Sequence, residues 1–262
     1  MAQTISQDEF SELWMKKLSE KQRKTRAEAA FRITRAVAEK QIDLLNKIIK
    51  KGKIDTLRFV YFHETVKSVW EHVDFALSLG KGKNRRFAFY PARTVLENTF
   101  RLEHFTRQKN DIQEDIATKE CLRIVKRHYD NEKANKDTTA AQMFTNYYNK
   151  FSRGKFADIE TIDVKSLEPF PSMWQLTKNS KINGAGSWYF HYQALAEESH
   201  GKFVSVTMVK QNEAQAYRLS LMYLLVMTND VLKNTDFHLG GATRQDVVEA
   251  IQNAEKIVKK PI

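Results

Sequence analysis

The most apolar run of the chain is Leu219-Ser220-Leu221-Met222-Tyr223-Leu224-Leu225-Val226-Met227. It is far shorter than a membrane-spanning helix, which needs about 20 apolar residues. The run belongs to a longer helical pattern from Met208 to Leu232, and a helix that is apolar on most of its surface is typical of a protein core. The sequence therefore predicts a buried central helix with other helices packed around it.

The composition favours an all-α protein. The 262 residues include only 9 glycines and 4 prolines, too few for the many tight turns of an all-β fold of this length. Hydrophobic residues make up 42% of the chain and charged residues 29%, which is ordinary for a globular protein. The single cysteine, Cys121, excludes an internal disulfide framework. The first residues do not resemble a secretory signal, so we expect a cytoplasmic protein.

Apolar residues recur every three or four positions in most of the chain, which predicts amphipathic helices. The expected helices begin near Ser6 and then cover 24–51, 55–79, 92–108, 111–131, 138–151, 188–200, 208–232 and 243–259, the last capped by Thr243. Glycines and prolines in 152–187 predict a loop-rich excursion, with a brief extended piece at 159–164. The predicted fold is an all-α multi-helix bundle. Residues 1–53 are basic N-terminal helices packed on a main bundle of 54–262, within one domain overall.

Positive charge is concentrated near the N-terminus. The chain carries a formal charge of +11, and residues 1–53 hold 13 Lys or Arg against 7 Asp or Glu. Such an excess favours RNA or another polyanion as a partner. The alternative interpretation is a solvated helix face, because the positive residues are spread around the helices.

A ladder of charged residues lies on the helix predicted over 92–108. Arg93, Glu97, Arg101 and His104 fall within a sector of about 80°. Two other histidines, His63 and His72, lie on opposite faces of the 55–79 helix and are interpreted as ordinary polar side chains.

A second polar face is predicted on the helix that begins near Trp188. Tyr189, Tyr192, Glu197 and His200 share one side of it, because eleven residues bring His200 back to within about 20° of Tyr189. If this face meets the helix of Arg93, an imidazole, guanidinium groups and carboxylates come together, which suits anion binding or acid–base chemistry. The alternative is a structural polar network without catalysis.

A metal site is not favoured by the residue pattern. Glu197-Glu198-Ser199-His200 supplies one Glu-x-x-His element, whereas a dinuclear site in a helical bundle needs two such elements and further carboxylates. The sequence predicts no metal and no other cofactor. The alternative is a site for a single metal ion formed by His200, Glu197 and Glu97.

Two short motifs carry resemblances to known families. Arg123 and His128 form an Arg-x4-His pair that resembles the motif of the HEPN superfamily. The resemblance implies helical domains that bind nucleotides, or that cleave RNA with residues from paired protomers. Ile124 departs from the family pattern, which often has a polar residue directly after the arginine.

Residues 60–235 resemble an uncharacterised bacterial all-helical family, sometimes encoded beside phage-defence genes. Its Arg-x3-Glu helix matches Arg93 to Glu97, and its later Tyr…Ser/Glu…His segment matches Tyr189 or Tyr192 through Glu198-Ser199-His200-Gly201.

Together these patterns lead to a functional hypothesis. We expect a basic helical protein that binds RNA or cleaves it without a metal, with Arg93, Glu97, Tyr189, Tyr192 and His200 as the catalytic cluster. Such chemistry needs a base near the 2′-hydroxyl and cations on the phosphate. A homodimer is compatible with this prediction, and no membrane association is expected. The alternatives are a non-enzymatic interaction bundle with a structural polar core and a metal-assisted or small-anion-binding enzyme.

Overall fold

The computed structural model describes residues 12–51, 56–80, 82–135, 137–182, 188–190, 192–193 and 213–260. The chain forms an all-α multi-helix bundle, and no β-strand occurs within these ranges. The predicted fold class is therefore confirmed.

Helix α1 (Glu20–Lys50) begins at a capping box. The Ser19 hydroxyl accepts a hydrogen bond from the Gln22 backbone N–H at 3.3 Å, and the Gln22 side-chain oxygen accepts one from the Ser19 N–H at 2.8 Å. This reciprocal pair satisfies two donors that would otherwise have no intrahelical partner. The preceding segment, Leu13–Lys17, is one π-helical turn that ends at extended Leu18. Helix α1 begins directly after this break, at Glu20 rather than at the predicted residue 24.

The next four helices occur where the periodicity predicts them. They are α2 (Leu57–Ser78), α3 (Phe89–Thr106), α4 (Asn110–Ala134) and α5 (Thr139–Ser152). A 3₁₀ segment, Gly82–Ala88, joins α2 to α3. Pro91 lies in the first turn of α3, where its missing N–H costs no intrahelical hydrogen bond. The short connection lets α2 and α3 pack side by side.

The loop-rich segment is confirmed over residues 152–182. Left-handed conformations at Arg153 (φ 55°) and Gly154 (φ 80°) end α5. Two 3₁₀ turns, Ile159–Thr161 and Val164–Leu167, and the short helix α6 (Met173–Lys178) follow. The predicted extended piece at 159–164 is wrong, because the carbonyls of Asp158 and Asp163 accept hydrogen bonds from N–H groups three residues later. Phe156 and Phe170 are buried, so the segment packs onto the bundle.

Helix α7 (Glu213–His238) contains the apolar run and lies at the centre of the bundle, as predicted. It packs most extensively against α3, and also contacts α1 and α2. Leu221, Leu224, Met227 and Val231 are fully or almost fully buried. No helix among the described residues is both long and apolar enough to cross a membrane.

The last helix, α8 (Arg244–Val258), packs against α1. Both helices bury alanines on the facing sides, which permits a close approach. The predicted capping role of Thr243 is wrong, because its hydroxyl makes no capping hydrogen bond to α8. The hydroxyl instead donates to the Asp236 carboxylate at 2.9 Å, and the same carboxylate accepts the Thr243 backbone N–H at 2.8 Å. A residue at the end of α7 thus holds the start of α8.

Candidate functional site

A cavity of about 240 Å³ opens between α2 and the first half of α3. We call it the Arg93 cleft, and it is lined by His72, Phe75, Tyr90, Pro91, Arg93, Thr94 and Glu97. Two of the predicted site residues, Arg93 and Glu97, therefore lie in one cavity. They do so because residues four apart on a helix project from the same face.

Arg93 contacts the segment that carries the second predicted polar face. Its guanidinium carbon lies 5.4 Å from the centre of the Tyr192 ring, within the range of a cation–π interaction. Its Nη2 is 3.5 Å from the Tyr192 hydroxyl, too long for a strong hydrogen bond. Tyr189 stacks on Tyr192 with the ring centres 6.3 Å apart. The structure thus brings Arg93, Tyr192 and Tyr189 into one row.

Glu97 is held by Arg101, one turn further along α3. The Arg101 Nη2 is 2.7 Å from the Glu97 carboxylate, and each side chain is about one quarter exposed. Arg101 also lies over Phe170, with its guanidinium carbon 5.4 Å from the ring centre. His104 meets the edge of the same ring at 6.0 Å, and burial, with nearby Arg107, lowers the pKa of its imidazole. The predicted four-residue ladder is therefore divided: Arg101 and His104 turn towards Phe170, away from the cleft.

His72 is a lining residue of the cleft that the sequence interpretation left among the ordinary polar histidines. Its Nδ1 lies 2.7 Å from the Ser68 backbone carbonyl oxygen. A carbonyl oxygen only accepts, so in the neutral imidazole Nδ1 carries the proton and Nε2 keeps the lone pair. The helical periodicity of α2 alone could not identify His72, because it does not show which residues face α3.

Two exposed aromatic side chains line the cleft, and a third lies in the segment that contacts Arg93. Tyr90 is 40% exposed and Phe75 is 53% exposed, and both line the cavity. Phe190, which lies between Tyr189 and Tyr192 in the chain, is 69% exposed. Large apolar side chains grouped at one surface site are typical of an interaction site. The cleft therefore combines a cation, a carboxylate, an imidazole and accessible aromatic rings.

The remaining sequence predictions for the site fall outside the described residues. His200 and Glu197 belong to residues 194–212, so neither the proposed convergence of His200 with Arg93 nor the mononuclear metal set of His200, Glu197 and Glu97 can be placed. Within the described ranges, no three His, Cys, Asp or Glu side chains come close enough together to hold a metal ion.

The two residues of the HEPN-like pair make separate contacts. Arg123 lies 3.0 Å from the Glu120 carboxylate and 3.9 Å from that of Glu168. His128 stacks on Phe144 with the ring centres 4.9 Å apart, and its Nδ1 is 3.9 Å from Glu132. These contacts give both side chains structural roles, and a shared catalytic role remains a prediction.

The positive charges of α1 are interspersed with carboxylates. Arg35 pairs with Glu39 at 3.2 Å and with Asp74 at 3.1 Å, and Lys24 lies 3.6 Å from Glu28. Its exposed positions also include Asp43 among the lysines. This arrangement favours the interpretation of α1 as a solvated mixed-charge face over that of a nucleic-acid surface.

Known proteins offer no assignment for this site. No protein-family model, no curated protein sequence and no solved structure gives a significant match to the chain. The chemistry of the cleft itself is therefore the basis for a functional conclusion.

Proposed function

We propose that the protein binds single-stranded RNA at the Arg93 cleft. The observation that carries the proposal is the arrangement of a guanidinium beside exposed aromatic rings in one cavity. Proteins that bind single-stranded nucleic acids combine cations along the phosphate backbone with aromatic rings on which bases stack. In this proposal Arg93 contacts a phosphate, and Tyr90 and Phe75 stack on adjacent bases.

The size of the cleft favours a single strand over a duplex. A cavity of about 240 Å³ holds a phosphate and part of one nucleotide, whereas double-stranded RNA is bound across wide, shallow grooves. Unpaired bases also leave their ring faces accessible for stacking on aromatic side chains. The net charge of +11 supports a polyanionic partner by attracting it over a longer range.

The proposal includes metal-independent cleavage, which the position of His72 supports. Its Nε2 would take the proton of a ribose 2′-hydroxyl, the 2′-oxygen would attack the adjacent phosphorus, and the bond from phosphorus to the 5′-oxygen would break. The products are a 2′,3′-cyclic phosphate and a 5′-hydroxyl. Arg93 would neutralise charge on the phosphate, and we assign the protonation of the leaving 5′-oxygen to His200, which the sequence analysis places in the catalytic cluster.

Binding is tested by fluorescence anisotropy with a labelled single-stranded RNA of mixed sequence at two salt concentrations. Arg93→Gln is expected to weaken binding at least about tenfold, since a charge-assisted contact is worth about 1.5 kcal/mol or more. Arg32→Gln changes an exposed arginine of α1 and is the charge-matched control. Equal losses in the two variants, or no RNA binding by the wild type at low salt, would refute the proposed site.

Cleavage is tested on the same RNA by gel electrophoresis in the presence of EDTA. His72→Ala is expected to abolish cleavage and to weaken RNA binding less than Arg93→Gln does. If the wild-type protein binds RNA and leaves it intact, the catalytic part of the proposal is wrong and the binding part stands. If Arg93→Gln lowers the unfolding temperature and no RNA binds, the non-enzymatic bundle with a structural polar core is the better description.

A further inference from the structure

A second cavity lies further along α2 and α3, towards the start of α2 and the end of α3. It has a volume of about 230 Å³ and is closed on its other side by α4 and α5. Its polar lining includes Arg101, Glu120 and Glu64, and Tyr148 contributes a buried ring. Drug-sized ligands occupy pockets of about 300 Å³ or more, so this cavity matches a single planar ring system.

Two residues connect this cavity to the Arg93 cleft. Ser68 lines it, and the Ser68 carbonyl holds the His72 imidazole. Arg101 also lines it, and the Arg101 guanidinium holds Glu97 of the cleft. The lining residues of the two cavities are offset by about ten residues along α2 and about six along α3, which corresponds to roughly 10–15 Å at 1.5 Å per residue. A nucleotide chain whose phosphate lies at Arg93 can therefore place a nearby base in the second cavity.

The second cavity offers hydrogen-bond donors and acceptors side by side. The Nε of Arg101 is buried and has no hydrogen-bond partner among the described residues, which is costly unless a ligand supplies an acceptor. The Glu120 carboxylate is only 13% exposed and is held in place by Arg123 at 3.0 Å. The pKa of the Glu64 carboxyl is lowered by a hydrogen bond from His63. The site therefore holds a cationic donor and carboxylate oxygens as acceptors at fixed positions.

We infer that this cavity binds one guanine base of the RNA, with Arg101 donating to the base and Glu120 accepting from it. Guanine presents two acceptors, O6 and N7, which suit a guanidinium. It also presents adjacent donors, N1–H and the N2 amino group, which suit the two oxygens of a carboxylate. Uracil has a single ring donor between two carbonyl oxygens that a carboxylate repels, and adenine has no ring N–H donor beside its amino group. The inference rests on the proposed RNA function.

Guanosine tests the cavity separately from the Arg93 cleft, because the nucleoside carries no phosphate. Saturation-transfer NMR with guanosine and adenosine at equal concentration is expected to show binding of guanosine by the wild type and by Arg93→Gln. Glu120→Gln is expected to lose the guanosine signal. The exposed Glu160→Gln is the matched control and should behave as the wild type. The thermal unfolding of each variant shows whether it is folded.

Labelled uridine heptamers with one central guanine, adenine or cytosine extend the test to RNA. The guanine heptamer is expected to bind the wild type about tenfold more tightly than the others, and Glu120→Gln should reduce this preference to within about twofold. Equal guanosine and adenosine signals in the wild type would overturn the inference, whether or not RNA binds. Guanosine-selective binding without any binding of the heptamers would keep the guanine pocket and reject the RNA function.

Discussion

Two clusters of polar side chains in the bundle differ in their surroundings. One is buried and hydrogen-bonded within the protein, and the other lines an open cavity. At the junction of α7 and α8, the buried Asp236 carboxylate accepts from the Thr243 N–H and hydroxyl, and Gln41 of α1 donates to that hydroxyl at 2.9 Å. The cluster is buried and lies away from the cavities described above. In the Arg93 cleft, by contrast, Arg93, Glu97 and His72 line an open cavity.

This difference separates polar side chains that stabilise the fold from polar side chains that are available to bind a ligand. Buried polar groups that satisfy one another stabilise a unique packing, and their removal leaves unpaired donors in the core. Polar groups that line an open cavity contribute less to folding, because water can take the place of a missing partner. We therefore expect substitutions at the first cluster to change stability and substitutions at the second to change binding.

The largest effect is expected for Asp236→Ala. The change leaves two buried donors of Thr243 unpaired at the start of α8, and the free energy of unfolding should fall by about 2–3 kcal/mol. Urea denaturation followed by circular dichroism measures this loss. Asp246→Ala, which removes a partly exposed carboxylate paired with Lys40 in the first turn of α8, is the control and should cost less than about 1 kcal/mol. Similar losses in both variants would contradict the structural role of the Asp236 cluster.

The Asp236 cluster also shows where sequence patterns stop being informative. The central helix was predictable from its apolar run, because burial of Leu221, Leu224 and Met227 follows from hydrophobicity alone. Its end was not, since the apolar pattern stops at Leu232 whereas the helix continues to His238. The buried residues Thr235 and Asp236 of this last part are polar. The Thr235 hydroxyl donates to the Val231 carbonyl within the helix, whereas Asp236 accepts from Thr243, a partner that only the tertiary structure supplies.

The candidate site was predictable only in its α3 half. The spacing of Arg93 and Glu97 places them on one face of a helix, whatever the rest of the fold. His72 comes from another helix, and its position opposite Arg93 follows from the packing of α2 against α3. The spacing of residues along one helix carries no information on which other helix packs against it. The contact of Arg93 with Tyr192 places one residue of the second predicted polar face against α3, and Glu197 and His200 of that face lie outside the described residues.

A second effect is expected from the buried histidine His238, whose surroundings differ from those of His72 in the open Arg93 cleft. His238 stacks on Phe62 with the ring centres 4.1 Å apart, and burial, together with Arg58, lowers its pKa from 6.5 to about 3. Between pH 6.5 and pH 3 the unfolded chain binds a proton that the folded chain excludes, so this residue's contribution destabilises the fold as the pH falls. From pH 7 to pH 5 the loss should be about 2 kcal/mol for this one group.

Urea denaturation of the wild type and of His238→Phe at both pH values measures this contribution. The phenylalanine keeps an aromatic ring against Phe59 and Phe62 and does not titrate. The variant should therefore lose about 2 kcal/mol less stability than the wild type on acidification. Parallel losses in the two proteins would show that His238 can be protonated in the folded state.

A smaller effect on folding is expected in the Arg93 cleft itself. Arg93→Gln removes a partly exposed cation and its interaction with the Tyr192 ring, which is worth about 0.5–1 kcal/mol at such a site. The same substitution should weaken RNA binding at least about tenfold, or by about 1.4 kcal/mol or more. A binding loss larger than the stability loss assigns Arg93 to the functional cluster. A stability loss near that of Asp236→Ala would place it with the structural one.

The smallest effect is expected on the basic surface of α1. Lys47 and Lys50 are exposed, and Glu39 and Asp43 are exposed on the same helix, so no single-sign surface is formed. The double variant Lys47→Gln/Lys50→Gln should change the free energy of unfolding by less than about 0.5 kcal/mol. Its RNA affinity should fall less than that of Arg93→Gln although it loses twice the charge, because dispersed exposed charges are screened by salt. Anisotropy titrations of both variants at the same ionic strength compare them directly, and a greater loss in the double variant would move the RNA-binding surface from the cleft to α1.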